Sequence, residues 1–298
     1  MLQNNGWNNE KVAQDMAKYN LIVLGDGVQT PSHGDYANAS VIIPRIKELN
    51  PESKIFGYVT TNQSISDFKT KVEDWNDLQI DGIFMDESGY DYGKTRSEFN
   101  ERVDYVHHQT YAKVCFVNSW NFDHILGTEN DVSFPNTIYN CNLKKSHLNS
   151  SDYCLLESFA INTTSYASTG GYESKTQWST RGDKANSMRR EFGINIVGCG
   201  IINDDAANGS DLFKFGFIAA TMFSLDGYGI SDSLYGASSA KSRYWERPDV
   251  SNIGKLWTNS PAVKVSVDDL DVYIRYTEFG KLILDFSSGS EAYAIISY

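Results

Sequence analysis

Carboxylates collect at one kind of position in this sequence, the end of an apolar run. Leu21-Ile22-Val23-Leu24 stops at Gly25-Asp26, and Gly82-Ile83-Phe84-Met85 runs into Asp86-Glu87. Tyr153-Cys154-Leu155-Leu156 stops at Glu157, and Ile194 to Ile201 leads to Asn203-Asp204-Asp205. Helix capping accounts for Asp204, Asp205 and Asp232 without chemistry, because Asp and Asn are favoured caps. Glu caps poorly, and this reading is weakest for Asp86, Glu87 and Glu157. Glu157 follows four largely apolar residues, so it is expected in partly dry surroundings where ionisation is costly. Carboxylates gathered at one mouth split their protonation, one neutral and one charged. Those are the states that cleavage of a glycosidic bond uses: an acid for the leaving oxygen, and a carboxylate that attacks the anomeric carbon or activates water.

Within that chemistry Asp86 is the expected nucleophile or electrostatic stabiliser and Glu157 the general acid/base. Glu87 is expected to tune them or bind a substrate amine. Tyr58, Asn118 and Trp120 are the expected sugar contacts, with Tyr90 and Tyr92 as loop candidates and Asp26, Asp204 and Asp205 completing an acidic groove. Neighbours on a strand point to opposite sides, so Asp86 and Glu87 face the same way only if the strand has already ended. Other chemistries lack their residues. The five histidines form no H-x-x-x-H spacing, there is no G-x-S-x-G, and no Gly-rich turn suits a phosphate or dinucleotide. A divalent ion on Asp86, Glu87 and Asp204 is the metal alternative. The expectation is that neither metal nor cofactor is needed.

These residues form one site only if the runs are parallel strands opening on a common face. Apolar runs alternate with segments of helical period over most of the chain, the pattern of βα units around a parallel sheet. Ile42, Ile46 and Leu49 mark one helix. Ile65, Phe68, Val72 and Trp75 mark another, with Ser64 as its N-cap, and Phe99, Val103 and Val106 a third. Strands are expected at 21–24, 54–59, 82–85, 114–117, 153–156, 194–201 and 227–230, with an eighth somewhere between Tyr235 and Trp257. The fold class is therefore a (β/α)8 barrel, possible irregularity included, whose catalytic groups sit at the C-terminal strand ends. From Ala262 the period changes to two, through Val263, Val265 and Val267, then Val272, Ile274 and Tyr276, then Leu282, Leu284 and Phe286. This predicts a small antiparallel sheet. The expected division is a barrel at 1–257 and a β appendage at 258–298.

Composition narrows the partners. A net charge of -12 and a pI near 4.8 argue against nucleic acid and anionic membrane, which need clustered Lys and Arg. An acidic groove suits a polymer carrying free amines. The 18 Tyr and 6 Trp fill cores first of all, but among Asn, Asp and Ser they also fit a wet groove with stacking surfaces. The four cysteines form no C-x-x-C pair, and Cys115, Cys154 and Cys199 lie inside strand-like runs, so buried free thiols are expected. Met1 to Trp7 carry no signal-peptide pattern, and no apolar run is of membrane-span length.

The string Ile80-Asp81-Gly82-Ile83-Phe84-Met85-Asp86-Glu87, with Gly57-Tyr58-Val59 before it and Val117-Asn118 and Leu155-Leu156-Glu157 after it, resembles the spherulin-4-like glycoside hydrolases. Related barrels include the endo-α-1,4-polygalactosaminidases. The resemblance spans roughly residues 20 to 205. It implies a (β/α) barrel cleaving a galactosamine-containing exopolysaccharide, with Asp86, Glu87 and Glu157 at the acidic catalytic positions. Asn118-Ser119-Trp120 stands where Asn-Pro-Gly is the pattern, and the stretch from Phe122 to Ser151 is longer. An extracellular or virion-associated enzyme, carried for instance on a bacteriophage tail, fits these features. The alternative is a non-catalytic carbohydrate-binding or adhesin barrel.

Overall fold

A computed structural model describes residues 8–128, 139–162, 171–202, 209–232, 246–250, 252, 263–267, 270–286 and 293–297. The chain forms two compact units, Met1–Leu155 with Phe192–Ile194, and Leu156–Glu191 with Asn195–Tyr298. Among the described residues, seven parallel strands alternate with helices in chain order and a four-stranded antiparallel sheet follows, the (β/α) barrel class with a small C-terminal β-sheet. Most of the stretch expected to hold the eighth strand, Tyr235 to Trp257, lies outside the described residues. No described helix is long and apolar enough to cross a membrane.

In the first unit the order is α1 (Asn9–Met16), β1 (Leu21–Leu24), α2 (Tyr36–Leu49), β2 (Lys54–Thr60), α3 (Ile65–Asp77) and β3 (Gly82–Asp86). A 3-10 turn at Tyr90–Tyr92, α4 (Arg96–His107), β4 (Val114–Asn118), α5 (Phe122–Ile125) and β5 (Tyr153–Leu156) follow. The helix starts are chemically marked. Ser64 Oγ accepts the Asp67 N–H at 3.1 Å, and Thr95 with Glu98 forms a reciprocal capping box. Phe68, Val72 and Trp75 of α3 and Phe99, Val103 and Val106 of α4 are buried, as their spacing predicts.

The two faces of this sheet do different work. Gly57 lies under Trp75 of α3, where a Cβ would stand 2.2 Å from the indole, so that face belongs to the helices. The opposite face carries alternate residues of each strand. Register sets Tyr58, Phe84, Phe116 and Tyr153 side by side in one row, with Phe84 and Phe116 5.1 Å apart edge to face. One step further along the strands, the same face presents Thr60, Asp86, Asn118 and Leu155. An aromatic floor therefore lies directly beneath a row that is polar from β2 to β4 and closes with Leu155.

The second unit holds most of α6 (Lys175–Phe192), with β6 (Asn195–Ile202), α7 (Gly209–Met222) and β7 (Gly227–Asp232), β6 and β7 being parallel. Its antiparallel sheet comprises β8 (Val263–Val267), β9 (Leu270–Tyr276), β10 (Lys281–Asp285) and β11 (Tyr293–Ser297). β11 falls beyond the alternation visible in the sequence. β10 buries Leu282 and Leu284 as expected, but β9 turns Tyr273 and Arg275 inward and leaves Tyr276 exposed. Arg275 pairs across to Leu282, and its guanidinium donates to the Thr221 and Met222 carbonyls and to Ser224 Oγ at the end of α7. The helix end thus draws a buried cation from the sheet, because its last carbonyls lack intrahelical donors. Burial lowers the Arg275 pKa to about 10, with the nearby Arg189 adding to the effect.

Candidate active site

Asp86 closes β3, and three donors hold its carboxylate. Tyr58 O–H reaches Oδ2 at 2.7 Å, while Asn118 Nδ2 and the Glu87 N–H reach Oδ1 at 3.0 and 2.8 Å. An ionised carboxylate is an acceptor only, so it satisfies all three without a proton of its own. Burial, then the hydrogen bond to Asp86, pushes the Tyr58 phenol above its ordinary pKa, which keeps it a donor.

Glu87 answers the question of direction. Its φ of 55° lies in the left-handed region, so the strand has ended and the alternation of sides no longer applies. Thr60 Oγ1 donates to Glu87 Oε2 at 2.6 Å, and Thr61 Oγ1 donates to the Glu87 carbonyl at 2.7 Å. Tyr58 and Thr60 share a face of β2, and each holds one of the two acids. Both acids therefore converge on the end of β2, half-buried above the aromatic row. Among the described residues, Glu87 Oε1 takes no hydrogen bond.

Glu157 lies in the second unit, just past β5, and is exposed, contrary to the dry setting expected for it. Arg181 donates to its backbone carbonyl and to that of Ser158, and also pairs with Glu173 at 2.6 Å. The turn that carries Glu157 is thereby fixed through its backbone. Ser158, at φ 54°, continues the departure from strand geometry.

The remaining residues divide. Asp26 is bound to Lys71 at 2.8 Å and accepts the Gly27 N–H, so an ion pair already occupies it. Trp120 offers a large apolar surface, 73% exposed, and Tyr92 is 42% exposed. Tyr90 departs from expectation. At 1% exposure it is stacked between His124, at 4.5 Å, and Tyr139, at 5.0 Å, and has no ring face left for a sugar. The fully buried Arg96 holds that stack by donating to the His124 carbonyl at 2.8 Å. Asp204 and Asp205 lie outside the described residues. Sequence reasoning passed over Thr60 and Thr61. The available signal was Thr60 standing two residues beyond Tyr58 on the same strand face.

Half-buried acids at the C-terminal ends of parallel strands place this chain in the broad class of (β/α) barrels. No family model matches the sequence, and no curated protein matches it. Among solved structures it is similar to the glycoside hydrolase domain of PelA from Pseudomonas aeruginosa. Identity there is 11% and the TM-score 0.47, over 74% of this chain and 90% of that one. It is also similar to the carboxyl transferase domain of Rhizobium etli pyruvate carboxylase, at 13% identity and a TM-score of 0.43, over 78% of this chain and 38% of that one. For Haloferax volcanii malate synthase the values are 11% and 0.42, over 74% and 64%. By their names these proteins carry out different reactions, and the likeness concerns the fold alone.

Proposed function

We propose that this chain is a glycoside hydrolase acting within a galactosamine-type exopolysaccharide, as in the spherulin-4-like family that its strand ends resemble. The observation that supports this most directly is the joint setting of Asp86 and Glu87 on one face above the aromatic row. In this reading Asp86, held by Tyr58 and Asn118, serves the anomeric carbon as nucleophile or stabilising charge. Glu157 gives its proton to the leaving oxygen and then takes one from the incoming water. Glu87 Oε1 receives the ammonium of a deacetylated sugar, and Trp120 stacks on a ring. Such a polymer lies outside the cell, so an extracellular or virion-borne enzyme is the matching setting.

The test is reducing-end release from acetylated and deacetylated galactosamine polymers by wild type, Asp86→Asn and Glu157→Gln, with circular dichroism to verify folding. Each substitution is expected to reduce release by about 10²–10⁴-fold, the usual worth of a positioned acid or base. Equal release by all three proteins overturns the assignment. A second reading, a sugar-binding barrel without turnover, is favoured by the exposure of Trp120, since stacking needs no acid. It prevails if wild type binds polymer, Trp120→Ala does not, and no reducing ends appear.

A further inference from the structure

At the opposite ends of the strands, one arrangement recurs three times among the described residues. An Asp directly before a strand accepts the N–H of the second residue of the preceding strand in the alternation, and meets a basic side chain from the last turns of a helix. Asp81, before β3, accepts from Ile55 at 2.7 Å and pairs with Lys47 at 2.5 Å. Asp226, before β7, accepts from Ile196 at 2.9 Å and binds Arg189 through Nε and Nη2 at 2.9 and 2.7 Å. Asp152, before β5, accepts from Cys115 at 2.8 Å, and His107 Nε2 lies 3.0 Å from both its oxygens. Two of these clamps combine Ile with Lys or Arg. The third has Cys and His at the same places, both changes toward metal-binding side chains.

We propose that His107, Cys115 and Asp152 bind one divalent transition-metal ion, with zinc the best match. A nitrogen, a sulfur and an oxygen donor together favour zinc over magnesium or calcium, which take oxygen alone. The three ligand atoms lie within 4.8 Å of one another. Ligands on zinc at about 2.0–2.3 Å stand roughly 3–4 Å apart, so closure asks only for small side-chain rotations. The outer contacts of a metal carboxylate are already in place, since the Cys115 and Asn149 N–H groups hold Asp152 Oδ1 and Oδ2. Asp152 is fully buried, while the His107 side chain is 20% exposed and gives the ion its way in. The fourth position falls to water. Binding replaces the thiol proton of Cys115 with the metal and releases that proton to solvent.

Cobalt(II) and zinc(II) titrations of the full chain test this independently of any hydrolytic activity. Wild type is expected to take up one ion per chain, with a thiolate-to-cobalt charge-transfer band, proton release and a raised Tm. The double variant His107→Lys with Cys115→Ile rebuilds the sister clamp, so it is expected to stay folded by circular dichroism. Its metal affinity is expected to fall by more than about 10²-fold. Uptake by wild type no greater than by the double variant, or a cobalt complex without the thiolate band, overturns the proposal.

Discussion

Glu87 is held in a conformation that costs a non-glycine residue about 1–3 kcal/mol, and such strain persists only where neighbours enforce it. Here the Thr60 and Thr61 hydroxyls do so. The cysteines are the converse case, where burial shields thiols from reagents in solvent. It pushes the Cys115 and Cys154 thiols up, whereas Cys141 is exposed and Cys199, expected to be buried, is only half-buried. A thiol reagent such as DTNB is expected to titrate Cys141 first in the folded protein, and Cys115 and Cys154 only in denaturant. Rapid loss of more than two thiols before unfolding would contradict the burial of that pair. At this scale the position of Asp86 and Glu87 at a strand end was legible, because the apolar run before them marks the strand. The sequence concealed the fate of Tyr90, whose ring is buried by His124 and Tyr139, residues far along the chain.

Capping is local, so Ser64 was legible as a helix start; Thr95, which plays the same part for α4, was not singled out, although Glu98 three residues on completes its capping box. Thr95→Ala is expected to lower stability by about 1 kcal/mol in chemical denaturation. For Glu98 burial acts to raise the pKa, but the Thr95 N–H and hydroxyl outweigh it and hold the carboxyl below its ordinary value. A depressed carboxyl contributes stability that is present above its unfolded pKa and lost as pH falls through the folded one. The gap between wild type and Thr95→Ala should therefore narrow in acid below about pH 4. The three Asp clamps were not legible. Their partners are separated by whole βα units, and only the fold reveals that Ile55, Cys115 and Ile196 occupy matching positions.

At the scale of the whole molecule, alternation was enough to identify the fold class, since strand and helix periods differ whatever the contacts. It could not anticipate that β9 buries Arg275, because a charged residue in an alternating strand ordinarily marks the wet side. Arg275→Met removes the donors at the end of α7 and is expected to cost roughly 2–4 kcal/mol in urea unfolding, with Lys in its place recovering only part. A loss below about 0.5 kcal/mol would mean that water serves those carbonyls equally well. The clamps have a further consequence. Each fastens a helix end to the starts of two strands, so the frame is secured at the ends where the strands begin. Connections that leave the strands' other ends, such as those bearing Tyr92 and Trp120, can then change length and sequence without loosening how those strands are anchored.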